Sequence, residues 1–200
     1  MKTTAKQLIS LLTFACMMAG CSTLHSNYYP GEKVQTLDKI LPEESIWTLM
    51  DECVYHVRRT GSNAVLIAGL DWNNKAGEFE LESVPVVISQ LDDQIFLSFQ
   101  DEDKEGLYTV LRVIIPLSDT ENSPDKILLF TADTDRIKRD AKADMIDAHG
   151  KGGGYGSYEI VLEGTKAEQN EYFRSNPNAI WDLNSAMTLQ RVSRQGKDRL

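Results

Sequence analysis

Short apolar or alternating segments separated by turn residues dominate the chain beyond residue 54, and a period of two is the mark of a strand with one wet face. Glu78-Phe79-Glu80-Leu81-Glu82 is the plainest case. Tyr55-His56-Val57-Arg58-Arg59, then Thr60-Gly61-Ser62-Asn63, then Ala64-Val65-Leu66-Ile67-Ala68 read as strand, turn, strand. Val84 to Leu91 forms a further strand, whose Pro85 suits an edge or a strand start. Asp92-Asp93 turns tightly into Ile95-Phe96-Leu97-Ser98-Phe99, Leu107 to Ile115 runs until Pro116, and Ile127 to Phe130 follows the polar loop Ser118 to Asp125. Tyr158 to Leu162 and Met187 to Val192 close the set. Strands at such short intervals, separated by turn residues, predict an antiparallel meander and not βαβ units.

Two helices interrupt the strands. One spans Asp133 to Ala148, with Ile137, Ala141, Met145 and Ala148 on one stripe. The other opens with a capping box, Thr165 and Glu168, and offers Tyr172 and Phe173 as apolar contacts. Residues 46–54 stay open between helix and strand. Ile46, Leu49, Met50, Cys53, Val54 and Val57 share a helical face behind Pro42-Glu43-Glu44, yet the segment leads directly into an alternating one. The fold class expected is α+β: mainly antiparallel sheet, open to barrel-like closure, with two short helices.

The first residues follow a different pattern. Met1 to Lys6 holds two lysines and no acid, Ile9 to Met18 is an apolar run too short to span a bilayer, and Ala19-Gly20-Cys21 closes it. Charged start, apolar middle and small-residue end make a secretory signal peptide. Met18-Ala19-Gly20-Cys21 resembles the lipobox of bacterial lipoproteins. That resemblance implies cleavage between Gly20 and Cys21, a diacylglyceryl group on the Cys21 thiol and acylation of the new amine, a palmitate-type anchor. One acyl chain attaches a protein only marginally, whereas two or three hold it stably without a transmembrane helix. Ser22 in the next position implies export to the outer membrane, facing the periplasm. The organisation expected is a signal peptide over 1–20, a lipidated tether over 21–41, one β-rich domain over 42–194 and a polar tail over 195–200.

Charge and cysteines narrow the classes. The 200-residue chain has 21 Lys and Arg against 30 Asp and Glu, net −9, and losing the two leader lysines takes the body to −11. So acidic a body disfavours nucleic acid as a partner. Cys16 leaves with the leader and Cys21 is acylated, so Cys53 stands alone in an exported protein and no intrachain disulfide forms. Its neighbours Met50, Val54 and Val57 suggest a buried small hydrophobe.

From Val54 to Val192 the order of segments resembles a group of uncharacterised β-rich bacterial envelope lipoproteins. Leu91-Asp92-Asp93-Gln94-Ile95-Phe96-Leu97, Leu111-Arg112-Val113, Ile127-Leu128-Leu129-Phe130 and Leu189-Gln190-Arg191-Val192 carry the likeness. It implies a small lipid-tethered β-rich domain and brings no reaction, ligand or catalytic residue.

Candidate chemistry is sparse. Asp101-Glu102-Asp103-Lys104-Glu105-Gly106 imitates the start of a calcium loop, but Arg112 stands where the bidentate Glu belongs, so the segment reads as an acidic hairpin tip. Gly150-Lys151-Gly152-Gly153-Gly154-Tyr155-Gly156 lacks the spacing of a phosphate loop and reads as a mobile link between helix and strand. Of the histidines, His25 falls in the tether, His56 faces solvent, and His149 beside Asp147 is the one general base to consider. Trp47, Trp72, Trp181, Phe79, Phe96, Phe99 and Tyr108 either fill a core or line a cavity for an apolar ligand. The function expected is a non-catalytic binding or interaction module, anchored to the membrane at Cys21, with an envelope protein as partner and with no cofactor and no metal. The alternatives are a carrier of a small apolar ligand and a hydrolase using His149.

Overall fold

The structure, a computed structural model, describes residues 23–34, 37, 41–50, 53–61, 64–73, 78–100, 106–116, 124–152 and 158–192, with backbone alone at 70–73, 78–82 and 151–152. Twelve strands lie among them: β1 (Thr23–Ser26), β2 (Glu32–Lys33), β3 (Glu44–Leu49), β4 (Cys53–Arg59), β5 (Ala64–Asn73), β6 (Glu78–Leu91), β7 (Gln94–Gln100), β8 (Tyr108–Ile114), β9 (Lys126–Phe130), β10 (Ala148–Gly152), β11 (Tyr158–Leu162) and β12 (Met187–Arg191). Two helices join them, α1 (Thr134–Lys142) and α2 (Lys166–Ser175).

Strands β3 to β9 pair in chain order, β12 bridges β9 to β3, and a closed eight-stranded antiparallel barrel results. Closure removes the free edges that an open sheet of this length would expose. The free side of β8 is shared. Arg112 to Ile114 pairs with β9, while Tyr108 and Thr109 pair with β1. From that fork β1 runs parallel to β11, which pairs antiparallel with β10. The fold class read from the pattern is therefore what forms, barrel closure included.

Period two decides which side chain goes where. In β7, Leu97 and Phe99 enter the barrel while Phe96 and Ser98 lie on its outer face; in β8, Leu111 and Val113 enter while Val110 and Arg112 do not. Two cores result. One fills the barrel and includes Trp47, Val65, Val86, Ile88 and Leu129. The other lies between the barrel's outer wall and a wrap made of β1, β11, α1 and α2, and includes Leu24, Phe96, Phe130, Ile137, Ile160, Leu162, Phe173 and Trp181.

Several expectations change. The segment assigned to a tether over 21–41 contributes a strand from Thr23, with Leu24, His25 and Ser26 buried, and Val34, Leu37 and Leu41 join the barrel core. Pairing to β11 and β8 supplies the order that a lone polar stretch lacks. Gly31 is needed there, because at φ +63° a Cβ would sit 2.1 Å from the Gln90 carbonyl oxygen. Residues 46–54 resolve as strands β3 and β4 with a turn between them: Trp47, Leu49, Tyr55 and Val57 point inward, while Ile46 and Val54 are exposed. Pro85 lies in mid-strand opposite Leu66, and among the described residues the ladder to β7 begins at Val86, so no described partner asks for the N–H that proline lacks. Helix α1 stops at Lys142, not near Ala148, because Asp144 takes a left-handed conformation (φ 55°) and Ala148 to Gly152 is claimed by the sheet. The first half of the glycine segment is accordingly strand. Tyr158 passes over Gly150, where a Cβ would lie 2.3 Å from the tyrosine oxygen, and carries the Lys138 ammonium 3.3 Å from its ring centroid. The capping box at Thr165 and Glu168 forms as read, and its two hydrogen bonds from Thr165 hold the Glu168 carboxyl below the usual range.

Candidate functional site

The barrel interior is the first place to look for a site. It encloses a cavity of about 30 Å³, lined by apolar side chains that include Leu41, Trp47, Ile67, Ile88, Leu97 and Val113. A ligand pocket for a small organic molecule measures roughly 300–1,000 Å³. This space is an order of magnitude smaller, and its apolar lining gives a water nothing to bond.

The aromatic residues considered for a cavity divide between the two cores. Trp47 lines the interior space and Phe99 belongs to the same core, whereas Phe96 and Trp181 belong to the wrap, with Tyr108 packed against it. Trp72 and Phe79 face each other in the β5–β6 register, where only the backbone is described. One shared aromatic cavity is therefore not formed. Phe96, Phe173 and Trp181 instead make a cluster, with centroids 5.4 Å (Phe96–Phe173) and 6.0 Å (Phe96–Trp181 and Phe173–Trp181) apart; Phe173 and Trp181 are stacked and Phe96 is tilted to both.

Buried polar groups gather under the wrap, and three sets of them tie one element to another. Arg112 on β8 is almost wholly buried and donates through Nη1 to Gln94 Oε1 at 2.8 Å and to the Pro177 carbonyl. Gln94 Nε2 donates in turn to the Phe173 carbonyl at 3.2 Å, so a barrel cation is bonded to the end of α2. Burial pulls the Arg112 pKa down, against the pull of Asp93 upward, yet an arginine stays charged at any working pH. Ser26 donates to Gln169 Oε1, and Gln169 Nε2 donates to the Leu162 and Glu163 carbonyls at 3.3 and 3.2 Å, which fastens β1 to α2. Tyr172 on α2 donates to Asp140 on α1 at 2.8 Å, and Asp140 also accepts from Arg136.

Burial first, and Asp140 second, push the Tyr172 hydroxyl far above its ordinary pKa of 10.0. Since the unfolded chain releases this proton first, the stability involved is complete below pH 10 and is lost as pH rises above it, by about 1.4 kcal/mol per pH unit. Urea melts at stepped alkaline pH should fall less steeply for Tyr172→Phe than for the unaltered chain. Equal slopes would place the hydroxyl outside this linkage.

The residues singled out in the sequence do not converge. Gly20 and Cys21 lie outside the described residues, as do residues 101–105 of the acidic loop and the tail 195–200. His149 is more than half exposed on β10, and its carboxylate partner is Glu163, 3.0 Å from Nδ1, not Asp147. His25, placed in the tether by composition, is buried in β1 with Nδ1 3.2 Å from the Thr109 hydroxyl, and His56 faces solvent. Cys53 is a free thiol, half-buried at the rim of the barrel core and so less enclosed than expected. Among the described residues, no three His, Cys, Asp or Glu side chains stand close enough to hold a metal ion, and no helix is long and apolar enough to cross a membrane.

Sequence reasoning missed Arg112 and the Asp140–Tyr172 pair. Arg112 carried a signal: it interrupts an apolar strand at a position flanked two residues away by Val110 and Ile114, which marks a covered outer face. Compared with protein-family profiles, curated proteins and solved structures, the chain matches none.

Proposed function

We propose that this chain is a lipid-anchored envelope protein whose barrel and wrap act as a non-catalytic binding module, held at the periplasmic face of the outer membrane by acylated Cys21. The observation that carries the reading is how close strand β1 lies in the chain to Cys21. Thr23 opens β1, two residues beyond Cys21, which limits the reach between acyl chains and folded body to about 7 Å. An anchor at Cys21 would then act on the sheet through the parallel β1–β11 pairing, which begins at Thr23. The polar clusters found under the wrap support a structural role for those groups, since their partners are backbone carbonyls and side chains of neighbouring elements.

Fractionation of cells expressing the full chain tests this. Cys21→Ser should move the protein from the membrane to the soluble fraction, with the mass of acyl glyceride lost from the intact protein. Persistence in the membrane fraction would defeat the anchor. Turnover of esters, peptides or phosphate compounds by the purified protein, abolished by His149→Ala, would defeat the non-catalytic assignment and return the hydrolase reading. The carrier reading rests on the barrel alone. It requires Leu41 and its neighbours to vacate an interior that now holds about 30 Å³.

A further inference from the structure

Period two sends Trp47, Leu49, Tyr55 and Val57 into the barrel, so Glu44, Ile46 and Thr48 on β3 and Val54, His56 and Arg58 on β4 form its outer wall. The wrap packs over β7, β8 and β9, on the opposite side of the barrel. Ile46 and Val54 are 41% and 60% exposed, and Val192, whose N–H bonds the Ile46 carbonyl, is 47% exposed beside them. Strand β5 adds the half-buried Leu66 and Ala68 to the same wall. Contiguous exposed aliphatic side chains of this kind mark a contact surface.

The polar residues of the wall are ordered too. Its titratable groups among the described residues are Glu44, His56 and Arg58. The β3–β4 register sets Glu44 opposite Arg58, Ile46 opposite His56 and Thr48 opposite Val54. A two-fold axis along the seam between β3 and β4 exchanges the two strands at constant height. It lays Glu44 of one copy over Arg58 of the other, and Arg58 over Glu44. Ile46 then meets His56, and Val54 meets Thr48. Packed sheets lie about 10 Å apart, a gap that Glu and Arg side chains close from the two sides.

We propose that the β3–β4 wall docks a second copy of this chain about that axis, through two symmetric Glu44–Arg58 pairs and an aliphatic centre of Ile46 and Val54. Charge selects the occupant. A body of net charge −9 repels its own kind wherever acid faces acid, whereas here each acid meets a base. Topology agrees. Strand β1 begins at the barrel end where β8 finishes, which is also the end where β3 starts and β4 stops. An axis along the strands keeps both Cys21 residues at that end, within reach of one bilayer, and an axis across the strands would send them to opposite ends. The inference supplies the binding module with its partner; the direction of the axis rests on the anchor, and the matching of charges does not. A convex barrel wall offers fewer than the roughly 20–30 residues a side of a stable interface, so the dimer is weak in solution and gains from confinement to a membrane.

The experiment is sedimentation of the full chain in a non-ionic detergent up to submillimolar concentration, where a monomer–dimer equilibrium should appear. Glu44→Arg and Arg58→Glu, each alone, should weaken the dimer by roughly tenfold or more, since like charges then face each other at two points. An equimolar mixture of the two variants should associate again, as heterodimers, and both substitutions in one chain should restore the homodimer. Val54→Lys should leave a monomer, while Glu171→Gln on the exposed face of α2 should stay within about twofold. A monomer at every concentration overturns the docking surface, and so do dimers indifferent to the charge reversals or variants that fail to complement each other. Val54-dependent capture of the Cys21→Ser chain by phosphatidylethanolamine vesicles would replace the second copy with a bilayer. All the substituted side chains are exposed, and thermal melts confirm that each variant folds. The Cys21→Ser chain should dimerise like the unaltered one, so failure of the anchor and failure of the dimer are read separately.

Discussion

Phe96→Ala should destabilise the protein by about 3–5 kcal/mol, the range for removing a large aromatic side chain from a packed interior. Phe96 is fully buried on the outer wall of the barrel, with its centroid 5.4 Å from that of Phe173 on α2 and 6.0 Å from that of Trp181. Phe173 and Trp181 are stacked on each other at 11°, so moving either ring into the space would break that contact. At roughly 2–4 °C per kcal/mol for a body of this size, the melting temperature falls by about 6–20 °C. Phe96→Leu, which keeps most of the volume, should cost less than about 1.5 kcal/mol. The slope of ΔG against urea should stay unchanged, since β7, β8 and β9 carry one core on each face and neither core can dissolve alone. A reduced slope with a second transition would mean that the wrap detaches while the barrel persists.

That arrangement explains which parts of the fold were legible in the sequence. Local pattern places the meander from β4 to β9, the two-residue turn at Asp92-Asp93 and the capped start of α2, because each depends on alternation, turn chemistry or capping within a few residues. Ile46 and Val54 misled through a coincidence of spacing. Both are apolar yet exposed, so they fit a helical stripe with Leu49, Cys53 and Val57 that the inward pair Trp47 and Tyr55 contradicts. The segment before β3 was illegible for another reason. A four-residue strand such as β1 draws its order from β11 and β8, partners more than 80 residues away, and no local composition reports that. Site chemistry suffered likewise. Asp140 and Tyr172 are 32 positions apart and look like an ordinary charge on one helix and an apolar contact on another, until the two helices pack together.

Arg112 makes the sharpest case for treating the polar groups under the wrap as one unit. Arg112→Leu should cost about 2–4 kcal/mol, because it strands Gln94 Oε1 in a buried position and removes a donor from the Pro177 carbonyl. Gln94→Leu alone should cost a similar amount, since it leaves a buried guanidinium without its side-chain acceptor and the Phe173 carbonyl without a donor. The two losses should not add. With both positions Leu, the desolvated cation and the orphaned amide disappear together, and apolar surface meets the aromatic cluster of Phe96 and Phe173. Replacing both members of a buried polar pair by apolar groups is often close to neutral. The double variant should therefore recover about 1–3 kcal/mol relative to the sum of the singles, read from a double-mutant cycle in urea. Two carbonyls lose a donor in the double variant: that of Pro177, which belongs to an exposed residue and has water at hand, and that of Phe173, whose loss keeps the recovery short of complete. Simple additivity would mean that Arg112 and Gln94 act independently.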